Sequence, residues 1–433
     1  MINNISLILV LGFLGFFGVV LAFIRPYYGV IFVAASLPVT DLLPSIPYLT
    51  SIVIAIGAVT LVGFFLQRKR EGGAFFKLQW VHILGLLFIV WMFVSNPQAA
   101  WFGDDRNWLF TFIQLWILAW LAGDLLDSPR KQHTFMWIFC VVALISAATA
   151  ILQGQIGNTV STSLRAGGLA DQPNASARYF VIAMVFFSYL STAVHNGLSR
   201  LLAMAGVLIT FLGVFFTVSR TGILLLFIAI AMLVLLNVRR SSVFQFLFIF
   251  IGSAIVMWFL SGNIVSIINS IVPSIQAGTD TIGIRYGLWQ AGWRMFLAYP
   301  IQGVGIGRFQ DRLNIFGADL LPVQYLFLSA HNMYVSVLAE TGLIGFVLFI
   351  PMLVLALINY LRAINTSEIQ SASLARIWLI VFVVILIGNI TMIGQYDKLV
   401  WLLIGVSAQF HNQPLMGIRK MPLANQREVF GKI

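Results

Sequence analysis

The chain has 433 residues, 60% of them hydrophobic and only 9% charged, whereas soluble domains carry about 25% charged residues. Its 25 basic residues outnumber its 14 acidic ones, for a formal net charge of +11. That excess points to anionic membranes or substrates and not specifically to nucleic acid.

Apolar runs of about 18 residues or more recur from one end to the other, each long enough for a membrane-crossing helix. Strands of a β-barrel would be about ten residues long and alternating. The class is therefore an all-α, polytopic membrane protein. Cys140 is a lone cysteine inside an apolar run, so there is neither a disulfide framework nor a thiol cluster for metal.

In chain order, the opening run "INNISLILVLGFLGFFGVVLAFI" lacks a basic n-region and is too long for an h-region, so it reads as a retained span. Spans are predicted at 5–24, 27–41, 48–66, 78–95, 108–123, 134–152, 175–194, 200–217, 222–237, 243–260, 333–361, 376–394 and 398–412. The count is thirteen, or twelve if one early run is re-entrant or interfacial. Residues 1–260 thus read as transmembrane helices with short loops, and 333–412 as the C-terminal transmembrane helices. The tail is 413–433. The stretch 261–332 is the one large extramembrane piece. It is too small for a separate enzyme domain with a deep core, so a lid of short helices is expected. No internal repeat or low-complexity tract is visible.

Four basic clusters lie between spans: "QRKR" at 67–70, "PRK" at 129–131, "RR" at 239–240 and "IRK" at 418–420. The positive-inside rule places all four, and the C-terminus, on the cytoplasmic side. The segment count between clusters is even, so the assignment is self-consistent. The outside segments are then 96–107, 153–174, 218–222, 261–332 and 395–397.

Those outside segments hold Arg106, Arg165, Arg220, Arg285, Arg294, Arg308 and Arg312, against the usual bias. Something anionic on the outer face accounts for them, and arginine is the common choice for bidentate phosphate contacts. Arg220 is the sharpest case. It stands in "SRTG", where Ser219 is a good N-cap and the helix N-terminus already favours an anion. A lone interfacial arginine also serves simply to reach lipid headgroups.

Arg285 lies in "GIRYGLWQAGWRMFLAYP", which reads as an amphipathic interfacial helix near 283–298, ended by Pro300. Helical spacing puts Arg285 on a face with Trp289, Gly292 and Phe296, with Arg294 about 180° away. By pattern alone it reads as well as a plain helix anchored by tryptophans. "GVGIGRF" at 303–309 follows no strand and is no dinucleotide loop, and no phosphate-binding GxxxxGK[ST] occurs.

Among the five histidines no two have metal-ligand spacing. His331 stands in "SAHNMYVSVLAETGLIGF", beside Asn332, where the long loop re-enters the membrane. A histidine there serves as a general base, a hydrogen-bond donor or an interfacial cap. Glu340, about 13 Å further along that helix, is an intramembrane carboxylate and a functional candidate; an alternative is that it ties helices together. Gly342 and Gly345 suggest a kink. In "LRAGGLADQPNASARYF" the outer loop carries Arg165 and Asp171. Asn174 reads foremost as a helix cap.

Together "LRAGGLADQPN", "SRTG", "GIRYGLWQAGWRMFLAYPIQGVGIGRF" and "AHNMYVSVLAETGLIGF" resemble the O-antigen ligase and polymerase superfamily of bacterial membrane glycosyltransferases, most of all its ligases. The matching stretch runs from about 164 to 361. The resemblance implies a C-type glycosyltransferase fold in the inner membrane with its site facing the periplasm. Its donor would be a glycan on undecaprenyl diphosphate. Its acceptor would be a sugar hydroxyl of lipid A–core, in O-antigen or exopolysaccharide polymerases another repeat unit, or in the protein O-oligosaccharyltransferases of the same superfamily a pilin or other protein, with membrane lipids around it and no nucleic acid. It further implies no cofactor, metal or nucleotide.

Carried onto this chain, the family's functional positions are Arg220, Arg285 and His331 as catalytic residues. Arg165, Asn174, Asn332 and Glu340 join the two arginines as binding residues for diphosphate and glycan. A competing reading is a transporter of lipid-linked oligosaccharide. Against it stand the missing repeat symmetry and a site at one membrane face instead of the midplane. A purely structural subunit leaves the outer arginines unexplained.

Overall fold

Prolines and small polar residues set where the apolar runs begin to coil. Pro173 occupies the first turn of one helix, Asn196 and Asn332 cap two others through their side chains, and Ser219 and Asp397 cap two more. The four caps satisfy N–H groups that a helix start leaves without partners, and the proline has none to satisfy.

A computed structural model describes residues 16–42, 52–73, 75, 77–95, 105–156, 166–170, 172–236, 281–365 and 369–411. Residues 16–24 are helical. They are followed by α1 (Tyr27–Ala35), α2 (Ile52–Glu71), α3 (Trp80–Ser95), α4 (Asp105–Leu125), α5 (Pro129–Ile156), α6 (Pro173–Ala193) and α7 (Gly197–Phe216). The remainder are α8 (Arg220–Leu235), α9 (Thr281–Ala298), α10 (Phe309–Phe316), α11 (Met333–Ala363), α12 (Ile369–Gly388) and α13 (Lys398–Ser407). No strand occurs among the described residues.

Among the described residues six helices, within α4, α5, α6, α7, α11 and α12, are long and apolar enough to cross a bilayer; α3, α8 and α13 belong to shorter apolar helices. The chain is a polytopic all-α membrane protein.

Three predicted spans need comment. The 27–41 run forms the nine-residue α1 and a six-residue 3-10 helix, Leu37–Leu42. At about 1.5 Å per residue for the first and about 2 Å for the second, neither reaches across a hydrocarbon core of about 30 Å. The 376–394 run coils only to Gly388. Beyond it the Asn389 side chain is drawn to Arg178, and the chain turns from 389 to 397 before Asp397 starts α13. The predicted span 243–260, the start of the long loop at 261–280 and the tail at 413–433 lie outside the described residues.

α6 sits at the centre of the bundle, buried at every position from Ser176 to Ser191, and packs on α5, α7, α8 and α12. α13 is equally enclosed, from Leu399 to Ser407. It lies so close to α4 that a Cβ on Gly405 would stand 1.9 Å from the Ala119 carbonyl oxygen. Helices in lipid gain little from apolar burial against one another, so close backbone approach through small residues is the expected mode of packing.

The segment after 281 forms a small second core. Leu288, Ala291 and Met295 of α9 meet Phe309 and Leu313 of α10 and Ala339 of α11. α11 is broken at Gly342, where φ is +66°. There the Leu343 N–H donates to the Pro300 carbonyl (2.8 Å), while Val304 and Gly305 donate to the carbonyls of Ala339 and Glu340 (2.9 and 3.1 Å). The "GVGIGRF" glycines therefore serve packing. A Cβ on Gly303 would lie 2.4 Å from the Glu340 backbone, and one on Gly342 would lie 2.2 Å from the Ile301 oxygen. The α9–α10 segment is thereby stitched to the N-terminal turns of α11.

Candidate functional site

Two helix N-termini meet at the turn after α12. The first is that of α8. Ser219, its N-cap, accepts from the Gly222 N–H at 3.0 Å and donates its hydroxyl to the Asn174 side-chain oxygen at 2.9 Å. Thr221, one residue into the helix, shares a hydrogen bond of 3.1 Å with Thr391. The second N-terminus is that of α11. Asn332 caps it, accepting from the N–H groups of Tyr334 (2.9 Å) and Val335 (3.1 Å), and the Met333 N–H donates to the Asn389 carbonyl at 2.9 Å.

Each N-terminus is preceded by a non-glycine residue in the left-handed region: Val218 at φ +50° and His331 at φ +45°. Such backbone is costly, most of all for a β-branched residue, and it gathers at ligand and active sites.

α9 brings the third element. The Trp289 indole N–H donates to the Ala330 carbonyl at 3.2 Å. This holds α9 against the residue before His331, with Arg285 one turn away. The three groups then sense one another in sequence. Burial, and next the charge of Arg220, lower the pKa of Arg285. Burial, and next the charge of Arg285, lower that of His331 from its usual 6.5.

Among the described residues neither Arg220 nor Arg285 has a carboxylate partner, and Arg220 is exposed. Arg294 is different: it forms a bidentate pair with Asp319 (2.6 and 3.0 Å) and also donates to the Phe316 carbonyl. Arg220 opens α8 and Arg285 stands one turn from Trp289, which is bonded to the residue before His331; guanidiniums near helix N-termini have the chemistry to hold an anion.

The remaining residues singled out from sequence divide. Asn174 does not cap its own helix: the N-cap position is Gln172, followed by Pro173, and the Asn174 side chain is turned to Ser219. Asn332 is spent on its cap. Glu340 is buried, with its oxygens accepting from the Phe309 N–H (3.4 Å) and the Tyr396 hydroxyl (2.8 Å), so it joins α11 to the glycine loop and to the turn before α13. Arg165 and Asp171 lie outside the described residues, as does the side chain of Arg106.

Sequence reading passed over the polar centre behind the site. Arg178, in the second turn of α6, pairs with Asp397 and donates to the Asn389 side-chain oxygen at 2.9 Å. It is 3% exposed, and a buried cation must be paired. The signal was an arginine inside a predicted span, which demands an anion somewhere. Asn389 completes a relay of contacts, holding Arg178 by its side chain and Met333 by its carbonyl.

Residues 205–350, about a third of the chain, match the family model for O-antigen ligase. The match takes in α8 to α10 and the first half of α11, and with them Arg220, Arg285, His331, Asn332 and Glu340. Arg165 and Asn174 precede it. No curated protein matches the chain.

Proposed function

We propose, starting from a domain of the O-antigen ligase superfamily at residues 205–350, that this membrane enzyme of the ligase and polymerase kind transfers a glycan from undecaprenyl diphosphate to a sugar hydroxyl of lipid A–core. The observation that carries this reading is geometric: Arg220 follows the Ser219 cap at the start of α8, His331 precedes the Asn332 cap at the start of α11, and the Trp289–Ala330 hydrogen bond holds α9, one turn from Arg285, against that same start.

In the reaction the acceptor hydroxyl attacks the anomeric carbon of the donor sugar. A new C–O bond forms as the bond from that carbon to the phosphate oxygen breaks. The electron pair leaves with the lipid diphosphate, and the hydroxyl proton passes to His331. Arg220 and Arg285, joined by Arg165 of the preceding loop, bind the diphosphate and stabilise the charge growing on it. His331, kept neutral by burial and by Arg285, is the base. The energy of the glycosyl–phosphate bond drives transfer, so no ATP is consumed. Asn174, Asn332 and Glu340 act through position, fixing the turn, the helix start and the glycine loop that present these three groups.

Arginines outside and basic clusters inside support a site at the periplasmic face of the inner membrane, with the C-terminus in the cytoplasm. The test is reconstitution of the purified full-length chain with an undecaprenyl-diphosphate-linked glycan and, separately, lipid A–core or a second lipid-linked repeat unit as acceptor. Glycosylated lipid A–core is expected. Extension of the lipid-linked glycan instead would make the chain a polymerase, and movement of the donor across the bilayer without new glycosidic bonds would make it a transporter.

A further inference from the structure

A slot of about 520 Å³ lies between α1, α2 and α4. None of these helices carries a member of the arginine–histidine group. Its lining changes character along its length. At one end are Thr111, Gln114, Tyr396 and Lys398, and the wall then runs through Leu118 to Leu121. From Thr111 to Leu121 is ten residues of α4, about 15 Å along the helix axis. A polar, cationic mouth over an apolar shaft has the polarity of a single amphiphile.

We propose that this slot holds one acyl chain of an anionic membrane phospholipid whose phosphate meets Lys398. The volume fits one chain. At about 30 Å³ for each water-sized group it takes on the order of seventeen methylenes, and a polyisoprenoid carrier is several times longer. The charge fits as well. The neighbouring carboxylate, Asp397, is held by Arg178 and caps the Leu399 N–H at 2.8 Å, so Lys398 has no carboxylate partner among the described residues. A lysine at the membrane face that carries the arginine group runs against the usual charge bias, and a lipid phosphate accounts for it.

Two contacts connect the mouth to the reactive group. Tyr396 donates to Glu340, which holds the glycine loop. Asp397 pairs with Arg178, and through Asn389 reaches the Met333 N–H beside His331. The bound lipid thereby props the turn between α12 and α13.

The test is native mass spectrometry of the full-length chain, released from nanodiscs of mixed phosphatidylglycerol and phosphatidylcholine. It reads lipid occupancy without any transfer reaction, so its outcome is separate from that of the proposed activity. Wild-type protein should keep one phosphatidylglycerol. Lys398→Gln should weaken its retention about tenfold, the effect of losing one charged hydrogen bond. Gly57→Leu should abolish retention: Gly57 lines the slot, and a Cβ there meets nothing within 4 Å, so the new side chain fills the space without displacing a helix. Equal retention of phosphatidylcholine, a polyprenyl phosphate in its place, an empty wild-type protein, or unchanged retention in Gly57→Leu would each overturn the assignment.

Discussion

The Ser219 hydroxyl joins two helix starts. It donates to the Asn174 side chain at 2.9 Å and accepts from the Gly222 N–H at 3.0 Å. The residue that caps α8 is thus anchored to α6, and Arg220, next in sequence, takes its position from both bonds. Ser219→Ala loses the cap and the anchor, whereas Asn174→Ala loses the anchor and leaves the Ser219 cap in place. The first should cost about 1 kcal/mol of stability, read as a lower unfolding temperature in detergent, and should slow transfer more than the second. Equal effects of the two would show that the cap contributes nothing to placing Arg220.

Arg178 and Asp397 form the buried ion pair behind the site, with side chains 4% and 8% exposed. Removing one partner leaves a buried charge alone, at a cost of about 3–5 kcal/mol. Both Arg178→Met and Asp397→Leu should therefore unfold at markedly lower temperature than wild type. The double variant should regain much of that loss, because two apolar side chains leave no uncompensated charge. Transfer by the double variant should stay low, since the Asn389 side chain would no longer be held. Thermal unfolding followed by tryptophan fluorescence reads the first effect, and initial transfer rates read the second.

For His331 the sign is set by its surroundings. Burial and the Arg285 charge hold its pKa below the usual 6.5, so the neutral ring persists to lower pH than it would in water. If the neutral ring is the base, transfer should be full near neutral pH and should fall as pH drops through the lowered pKa. The acid limb of kcat/KM then lies below 6.5. Arg285→Gln removes the nearby positive charge and should move that limb upward on the residual activity. A limb that stays in place after Arg285→Gln would detach the histidine from the arginine.

Gly342 has φ +66° and no space for a Cβ beside the Ile301 oxygen. Gly342→Ala should cost about 1–3 kcal/mol and loosen the contact between α11 and the glycine loop. Faster amide hydrogen exchange at 303–309 is the expected signature.

What the sequence made legible was whatever is local. Long apolar runs marked the spans around α4 to α8, and Ser219 ahead of Arg220 marked a helix start. Gly342 marked the break in α11. The hidden parts depend on partners far apart in the chain. Averaged hydropathy passed over Arg178 because fifteen apolar neighbours outweigh one charge, and its partner Asp397 comes 219 residues later. Asn389 was counted as membrane helix for the same reason, since nothing near it announces that its side chain is needed elsewhere. Asn174 looked like a cap because it follows proline near a helix start, and only the fold brings Ser219 to it. The α1 region was apolar enough to be read as a span, but apolar composition does not separate a crossing helix from a short one enclosed by its neighbours.

The most direct test of the central claim is the rate of glycan transfer from the lipid diphosphate by purified Arg220→Ala, Arg285→Ala and His331→Ala proteins, each first shown to be folded by its unfolding temperature. Loss of one charged donor to a transition-state anion typically costs about 10²–10³-fold in rate, and a loss of that size is expected for each arginine, with a comparable fall for the histidine. Near-normal turnover in all three would contradict the assignment of the Arg220, Arg285 and His331 group as the reactive centre.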